Sequence, residues 1–402
     1  MMSTDKIIIS GTGCALADYL YTNARFDSPG FLKYISKNPG DGGLSPGKLV
    51  FLDELEKYAG VNYSGILTDI SNNTLFDGFN IGGPGLVSLI HAAQMLPTNE
   101  FEVRFFGCTG HDDTAGSIFN LLKATPLNIS GYTQQSNKAT PFTHVFSDAT
   151  FDDGHGERTF VNNIGAAWDY TPEMLPDDFF NAQIVCFGGT ALVPQIHDQL
   201  TSLLKKAKQN NCITIVNTVF DFRNEKNHPD RPWPLGNTAE SLGLTDILIM
   251  DSEEALKISG KSLLNEAAGY FRDHQVSSFL ITNGSKEVIA FSNGTLFQKM
   301  DITGFSVSEK VVSELKSNPS LKGDTTGCGD NFAGGVIASI AQQLRSKNRG
   351  LFDLTDALSW GVASGGFACF YVGGTYYEDR QGEKLERVKA YQSDYLKQIK
   401  LN

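Results

Sequence analysis

The sequence predicts an α/β fold in three layers, α/β/α, around a mostly parallel central sheet, with a small β lid attached. Three observations predict it. Short apolar runs that read as buried parallel strands recur at 7–10, 103–106, 184–187, 213–217, 247–250 and 279–282. Each is followed by Gly, Asn, Asp or Ser and then by a helix-like stretch; 200–207 and 333–344 have clear helical spacing. The chain has 402 residues, 41% hydrophobic and 19% charged, enough to bury a sizeable core. Alternation of this kind implies a layered fold with right-handed crossovers, in which ligands sit beyond the carboxyl ends of the strands.

Two regions break the alternation. Residues 140–163 change character residue by residue around Asp152-Asp-Gly-His-Gly156, which reads as a β-hairpin standing off the main sheet. Residues 28–73 are rich in Gly, Pro, Asn and Asp, hold a short helical stretch at 49–58, and read as an insertion. No repeat, low-complexity tract or Pro/Ser linker divides the chain. One domain over 1–402 is expected, its lid built from about 18–27, 74–82 and 132–163.

A formal net charge of −12 argues against a general nucleic-acid binder, because phosphate backbones reward clustered Lys and Arg. It leaves room for an anionic ligand, which a local ring of backbone amides can hold inside an acidic protein. The apolar run 7–9 is too short for a signal-peptide core and no stretch approaches a membrane span, so a soluble, cytoplasmic protein is expected. The six cysteines form no C-x-x-C pair and are expected as buried, reduced thiols. The seven histidines show no zinc-ligand spacing.

The chemistry concentrates in Asp324-Thr-Thr-Gly-Cys-Gly-Asp330, which runs into a helix whose apolar face holds Phe332, Val336, Ile337 and Ile340. Gly327 and Gly329 let the backbone turn tightly and leave amides unobstructed at the positive end of that helix. Such a site suits phosphate charge, and Asp330 on the first turn sits beside it as a proton acceptor. A capped Gly-rich turn is the plain structural alternative for this segment alone.

The wording Asp-Thr-x-Gly-x-Gly-Asp resembles the C-terminal signature of the ribokinase/PfkB carbohydrate kinases, with Cys328 in place of the usual Ala. The resemblance covers nearly the whole chain and implies a ribokinase-like fold, a phosphotransferase with an alcohol acceptor, ATP, and Mg2+. It makes Asp330 the base and Gly327, Cys328 and Gly329 the anion hole. Asp18, in the opening strand-loop Gly11-Thr-Gly-Cys-Ala-Leu-Ala-Asp18, inherits a hold on sugar hydroxyls. Gly82-Gly83 resembles the Gly-Gly pair against the substrate, and Gly156-Glu-Arg-Thr-Phe160 the lid strand, from which Glu157 or Arg158 would reach the acceptor. Asp251-Ser-Glu-Glu254 stands where the family has Asn-x-x-Glu, so Glu254 and Asp251 are placed near the metal. Thr282-Asn-Gly284, with Asp324 and Thr325, falls on the nucleotide side, and Ser364 would line the adenine pocket. Many relatives hold a monovalent cation, K+, beside the position of Asp324, and lids of the family often pair between subunits, which implies a homodimer. Val87 departs from the pattern: it stands where the family places a sugar-binding Asn.

Two decoys fail on physical grounds. Gly42-Gly-Leu-Ser-Pro-Gly47-Lys48 has P-loop spacing, but Leu49 replaces the Mg2+-binding hydroxyl, Pro46 stiffens the loop, and no strand precedes it. Gly11-x-Gly13 follows a strand, but Leu16 fills the third glycine position of a dinucleotide fingerprint. The expected function is therefore an ATP-dependent kinase of a primary hydroxyl on a sugar or sugar derivative. The second reading is a nucleoside kinase of the same fold, supported by the likeness of the 28–60 insertion, Phe105–Gly110 and Asn163–Ala167 to adenosine kinases. A non-catalytic ligand-binding relative is third.

Overall fold

A computed structural model describes residues 6–38, 40–71, 76–154, 156–323, 325–346 and 350–401. The described strands begin with β1 (Ile7–Gly13), β2 (Leu16–Tyr21), β3 (Leu49–Phe51), β4 (Phe76–Gly82), β5 (Phe101–Gly110), β6 (Asn128–Ser136) and β7 (Phe142–Asp148). They continue with β8 (Glu157–Asn163), β9 (Ile184–Gly188), β10 (Ile213–Asn217), β11 (Ile247–Asp251), β12 (Ser278–Thr282), β13 (Glu287–Ser292) and β14 (Met300–Ser306). The helices that bear on the site are α1 (Pro29–Leu32), α2 (Leu52–Ala59), α3 (Tyr63–Ser71), α4 (Pro84–Met95), α5 (Ser252–Ser259), α6 (Cys328–Arg345), α7 (Leu354–Ala368) and α8 (Glu383–Leu401).

The main sheet has the order β14-β13-β12-β11-β10-β9-β1-β5-β6. It is parallel from β12 through β6, and β13–β14 add an antiparallel edge. Every apolar run expected as a strand is one. β1 extends three residues beyond its expected end because glycine lets a helix lie against it: a side chain at Gly11 would meet Leu89 of α4 at 2.5 Å. Helix α4 is buried nearly all round, Ser88, His91 and Gln94 included, as a helix enclosed by other layers must be. No described helix is long and apolar enough to cross a membrane.

The regions that broke the alternation form a second sheet, β3-β8-β7-β2-β4. β7 and β8 are the expected hairpin, in register from Phe142↔Asn163 to Asp148↔Glu157, with a helical turn at Phe151–Gly154 near its tip. The helical stretch expected at 49–58 divides: Leu49–Phe51 pairs as a strand with β8, and the helix starts only at Leu52. Positions 74 and 75 of the expected lid lie outside the described residues.

Cross-strand register fixes which residues share a face. Asp18 lies opposite Asn80 and Thr143, Thr143 opposite Asn162, and Asn162 opposite Phe51. The result is a row, Asn80–Asp18–Thr143–Asn162–Phe51, whose four polar members are all buried. Two residues along β8 from Asn162 and from each other, Phe160 and Arg158 share that face. The alternate face carries Tyr21, Phe146 and Val161, and the insertion covers it: Phe26, Phe31, Leu55, Ile66 and Ile70 complete one apolar cluster with them. The chain's own helices thus occupy this face of the second sheet.

Phe146 is fully buried between the second sheet and the insertion, stacked on Tyr21 with ring centroids 5.0 Å apart. Phe146→Ala should cost about 3–5 kcal/mol in urea unfolding. Wild-type stability would contradict this packing.

Candidate active site

The strand ends converge as the fold class requires. β1 ends at Gly13, with Cys14 just beyond it, β9 ends at Gly188, and β10, β11 and β12 end at Asn217, Asp251 and Thr282. Cys14 is within electrostatic reach of both Asp330 and Asp18: burial raises its pKa most, and those two carboxylates add to the rise. Gly82 makes the room for Asp18, since a β-carbon there would stand 2.1 Å from the Asp18 Oδ2. Gly83, with φ of +94°, turns the chain into α4 and approaches the Cys14 carbonyl too closely for any side chain, at 2.6 Å.

Gly327, with φ of +74°, is the residue from which α6 starts, and a side chain on it would strike the Gly374 Cα at 2.5 Å. Gly329 meets nothing within 4 Å, so its side of the turn is open. Asp330 keeps a solvent-accessible edge, yet the protein around its carboxyl desolvates the charged form and pushes its pKa up to about 7. That is the value a group exchanging a proton near neutral pH requires.

Glu254 is buried at the start of α5. Its Oε2 accepts from the Thr218 hydroxyl at 2.5 Å and from the Asp251 N–H at 3.0 Å. Burial first, then the charge of Asp251, push its pKa up to about 8, and Asp330 contributes to the same rise. Asp251 caps the helix by accepting from the Glu254 N–H at 2.8 Å, which gives it a structural task in a capping box. Thr282 ends β12, and Gly284 follows with φ of +55° and open space around it. A groove of about 650 Å³ lies alongside, lined by Ser285, Lys286, Ser306, Val307, Val312 and Lys316.

Arg158 crosses from the second sheet to the motif. Its guanidinium donates to the hydroxyls of Thr326 at 2.5 Å and Thr325 at 3.1 Å. Glu157, its expected alternative, lies on the opposite face: it is exposed, and its carboxylate accepts from the Arg158 backbone N–H at 2.8 Å. Ser364 is also turned away from any groove. It is completely buried, with its hydroxyl 2.8 Å from His91 Nε2 and packed where Gly335 of α6 touches α7. Val87 is buried against Gly374. Asp324, beside which K+ was expected, lies outside the described residues.

Residues that sequence reasoning passed over tie the motif down. Asn331 follows Asp330 and is fully buried. Its amide donates to the carbonyls of Gly327 and Gly374, both at 2.8 Å. Its Oδ1 lies 2.7 Å from His91 Nδ1 and accepts from Lys384 Nζ and the Tyr371 hydroxyl, both at 3.0 Å. Lys384 is 1% exposed and also donates to Gln94 at 3.0 Å; desolvation lowers its pKa to about 7. A buried Lys is the signal missed: it lies in a charged C-terminal helix with ordinary surface composition, and only the fold turns it inward.

With this geometry in view, the comparisons with known proteins agree. The model of the pfkB family carbohydrate kinases matches residues 48–380. The adenosine kinase of Schizosaccharomyces pombe is 26% identical over 308 residues, which cover 72% of this chain and 82% of that protein. The structure of Schistosoma mansoni adenosine kinase with adenosine and AMP superposes with a TM-score of 0.67, at 18% identity, over 93% of this chain and 98% of that one. The structure of Arabidopsis thaliana ribokinase with ribose and ATP gives 0.63 at 16% identity, over 96% and 99%.

Lys384→Met should cost about 1–3 kcal/mol, because it strips a donor from Asn331 and Gln94. Lys384 binds its proton more weakly folded than unfolded, so the wild type gains stability as pH rises from about 7 towards the ordinary lysine range. The penalty measured by denaturation should therefore be larger at pH 9 than at pH 6. A penalty independent of pH would contradict the buried amine.

Proposed function

The chain belongs to the pfkB family of carbohydrate kinases, phosphotransferases with a hydroxyl acceptor, and we propose that it transfers the γ-phosphoryl group of ATP to a primary hydroxyl of a sugar or sugar derivative. One observation carries the reading: Asp330, poised near neutrality, stands on the first turn of a helix whose glycine start leaves amides open.

Asp18, with the polar row beside it, holds and orients the acceptor's hydroxyls. Among the described residues Asn162 Oδ1 and Asn217 Oδ1 are buried without a hydrogen-bond partner, and a ligand hydroxyl would satisfy such atoms. Asp330 accepts the proton of the reacting hydroxyl as its oxygen attacks the γ-phosphorus and the bond to the bridging oxygen breaks. The amides at the start of α6 meet the charge on the phosphoryl oxygens. Arg158, whose planar fork suits phosphate, leaves the threonine hydroxyls for the same oxygens and brings the second sheet down as a lid. The nucleotide is assigned to the groove beside Thr282 and Gly284. Mg2+ fits the donor set by charge, since the charges of Asp251 and Asp330 both act on Glu254. Among the described residues no group of three ligating side chains is built for a metal, and the Glu254 Oε2 is already bonded. Glu254 would thus act through metal-bound water. When bound, the ion neutralises charge on the phosphates.

A nucleoside acceptor is the second reading, and a cavity of about 560 Å³ favours it, lined in part by Phe51, Asn162, Asn163, Trp168 and Arg223. Phe51 and Asn162 belong to the row of Asp18, two to three strands away, or roughly 10–14 Å at the usual strand spacing. That span would let a sugar sit at Asp18 with an aromatic base beyond it.

Asp330→Asn should lower kcat by about 10²–10⁴-fold while ATP still binds. Near-normal turnover would refute the base. Because Asp330 works only when deprotonated, kcat/KM should fall as pH drops through about 7. A profile flat to pH 5 would contradict its raised pKa. A coupled ATP-consumption screen over sugars, sugar acids and nucleosides chooses the acceptor: hits confined to nucleosides would establish the second reading.

A further inference from the structure

The cysteines do not all behave as the sequence suggests. Cys14, Cys108, Cys186 and Cys212 are buried, but Cys328 and Cys369 are partly exposed. Although 41 positions apart in sequence, their sulfurs lie 3.5 Å from one another. Cys328 is the first residue of α6, between the two glycines of the anion hole and two residues before Asp330. Cys369 caps the end of α7, and its carbonyl accepts from the Gly323 N–H at 2.8 Å, just before the motif. The two thiols thus bridge the entry and the turn of one phosphate-binding segment.

We propose that Cys328 and Cys369 form an oxidisable dithiol, closed to a disulfide by a hydroperoxide and reopened by a dithiol reductant, and that closing it switches the site off. The chemistry balances with hydrogen peroxide as oxidant. One thiol loses its proton and its sulfur attacks a peroxide oxygen, the O–O bond breaks, and a sulfenic acid and water result. The second sulfur then displaces the sulfenic oxygen, which leaves as water with the remaining thiol proton. Two sulfurs give up one electron each, and the peroxide takes both. A reductant's thiolate reverses this by exchange through a mixed disulfide. The other four cysteines are buried, so the reaction is confined to this pair.

The consequence is geometric. A disulfide requires sulfurs about 2.05 Å apart, so closure draws the start of α6 towards α7 from the 3.5 Å sulfur separation. The helix start cannot drift freely, because Gly327 abuts Gly374 and Asn331 is bonded to both. The displacement is therefore taken up at the amides around Cys328 and at Asp330. A misplacement of about 1 Å in a catalytic constellation costs on the order of 10²-fold in rate.

The effect on turnover rests on the kinase reading above, whereas closure of the dithiol does not, and the experiment separates them. The full chain is treated with hydrogen peroxide, with and without later dithiothreitol, and followed by intact mass, thiol count, and turnover of the acceptor found in the screen. We expect a loss of about 2 Da and of two thiols, mapped by peptide analysis to Cys328–Cys369. Turnover should fall by at least tenfold and recover with dithiothreitol. Cys369→Ala should keep the wild-type rate and be indifferent to peroxide. Mass and thiol count unchanged, or a disulfide elsewhere, would overturn the pairing. A closed pair with undiminished turnover would overturn the switch. A reduced protein with no turnover on any acceptor would defeat the kinase reading alone. Mass still decides the pairing in that case, and a rise in Tm with ATP that is unchanged by oxidation would overturn the switch.

Discussion

Asn331 is the point on which the site depends. Its amide fastens the glycine that starts α6 to the loop after α7, and its carbonyl oxygen gathers His91 of α4, Lys384 of α8 and Tyr371. Three separate parts of the chain, α4, the loop after α7 and α8, are thereby fixed against the turn that carries Asp330. A glycine-rich turn is conformationally permissive, and permissiveness is a liability where amides must meet a small anion within tenths of an ångström. The buried network supplies the rigidity that the glycines give up. Its cost is high, with an ammonium desolvated far enough to lose its normal pKa, and such a cost is sustained only where every member finds a partner.

Electrostatics then set the direction of the chemistry. Asp18, Asp330, Glu254 and Asp251 bring four acidic side chains to one end of the main sheet, and two of them are raised to about 7 and 8. Arg158 brings a cation to this end from the second sheet. On the proposed kinase reading, a ligand that brings Mg2+ and an acceptor that gives up a proton to Asp330 would both relieve that charge. On that reading an acidic protein would bind a polyanion here through the turn, the ion and one arginine, and the net −12 of the chain would have little bearing on it.

Much of the fold was legible because buried parallel strands announce themselves as apolar runs. β1, β9, β10, β11 and β12 are such runs, and the strand ends follow from them. β2 and β4 were not read as strands, since their polar members Asp18 and Asn80 break the apolar pattern while facing a cleft. The stretch at 49–58 misled because three residues of strand and eight of helix share one apolar spacing. Asp330 and its glycines were legible as a local motif. Arg158 was half-legible: period-two alternation gives Glu157 and Arg158 opposite faces, but only cross-strand register says which face looks at Asp18. Ser364, Asn331, Lys384 and the meeting of Cys328 with Cys369 were beyond reach. Each depends on how α4, α6, α7 and α8 pack, and no single segment carries that information.

The protein around the α6 turn holds the Asp330 carboxyl near neutrality, and the proposed chemistry turns on that. The most direct measurement is a titration of the side-chain carboxyl carbons by NMR, with the Asp330 signal assigned by its absence from Asp330→Asn. A midpoint of about 7 is expected for the protein alone. A midpoint near 4, in the ordinary range for aspartate, would contradict it.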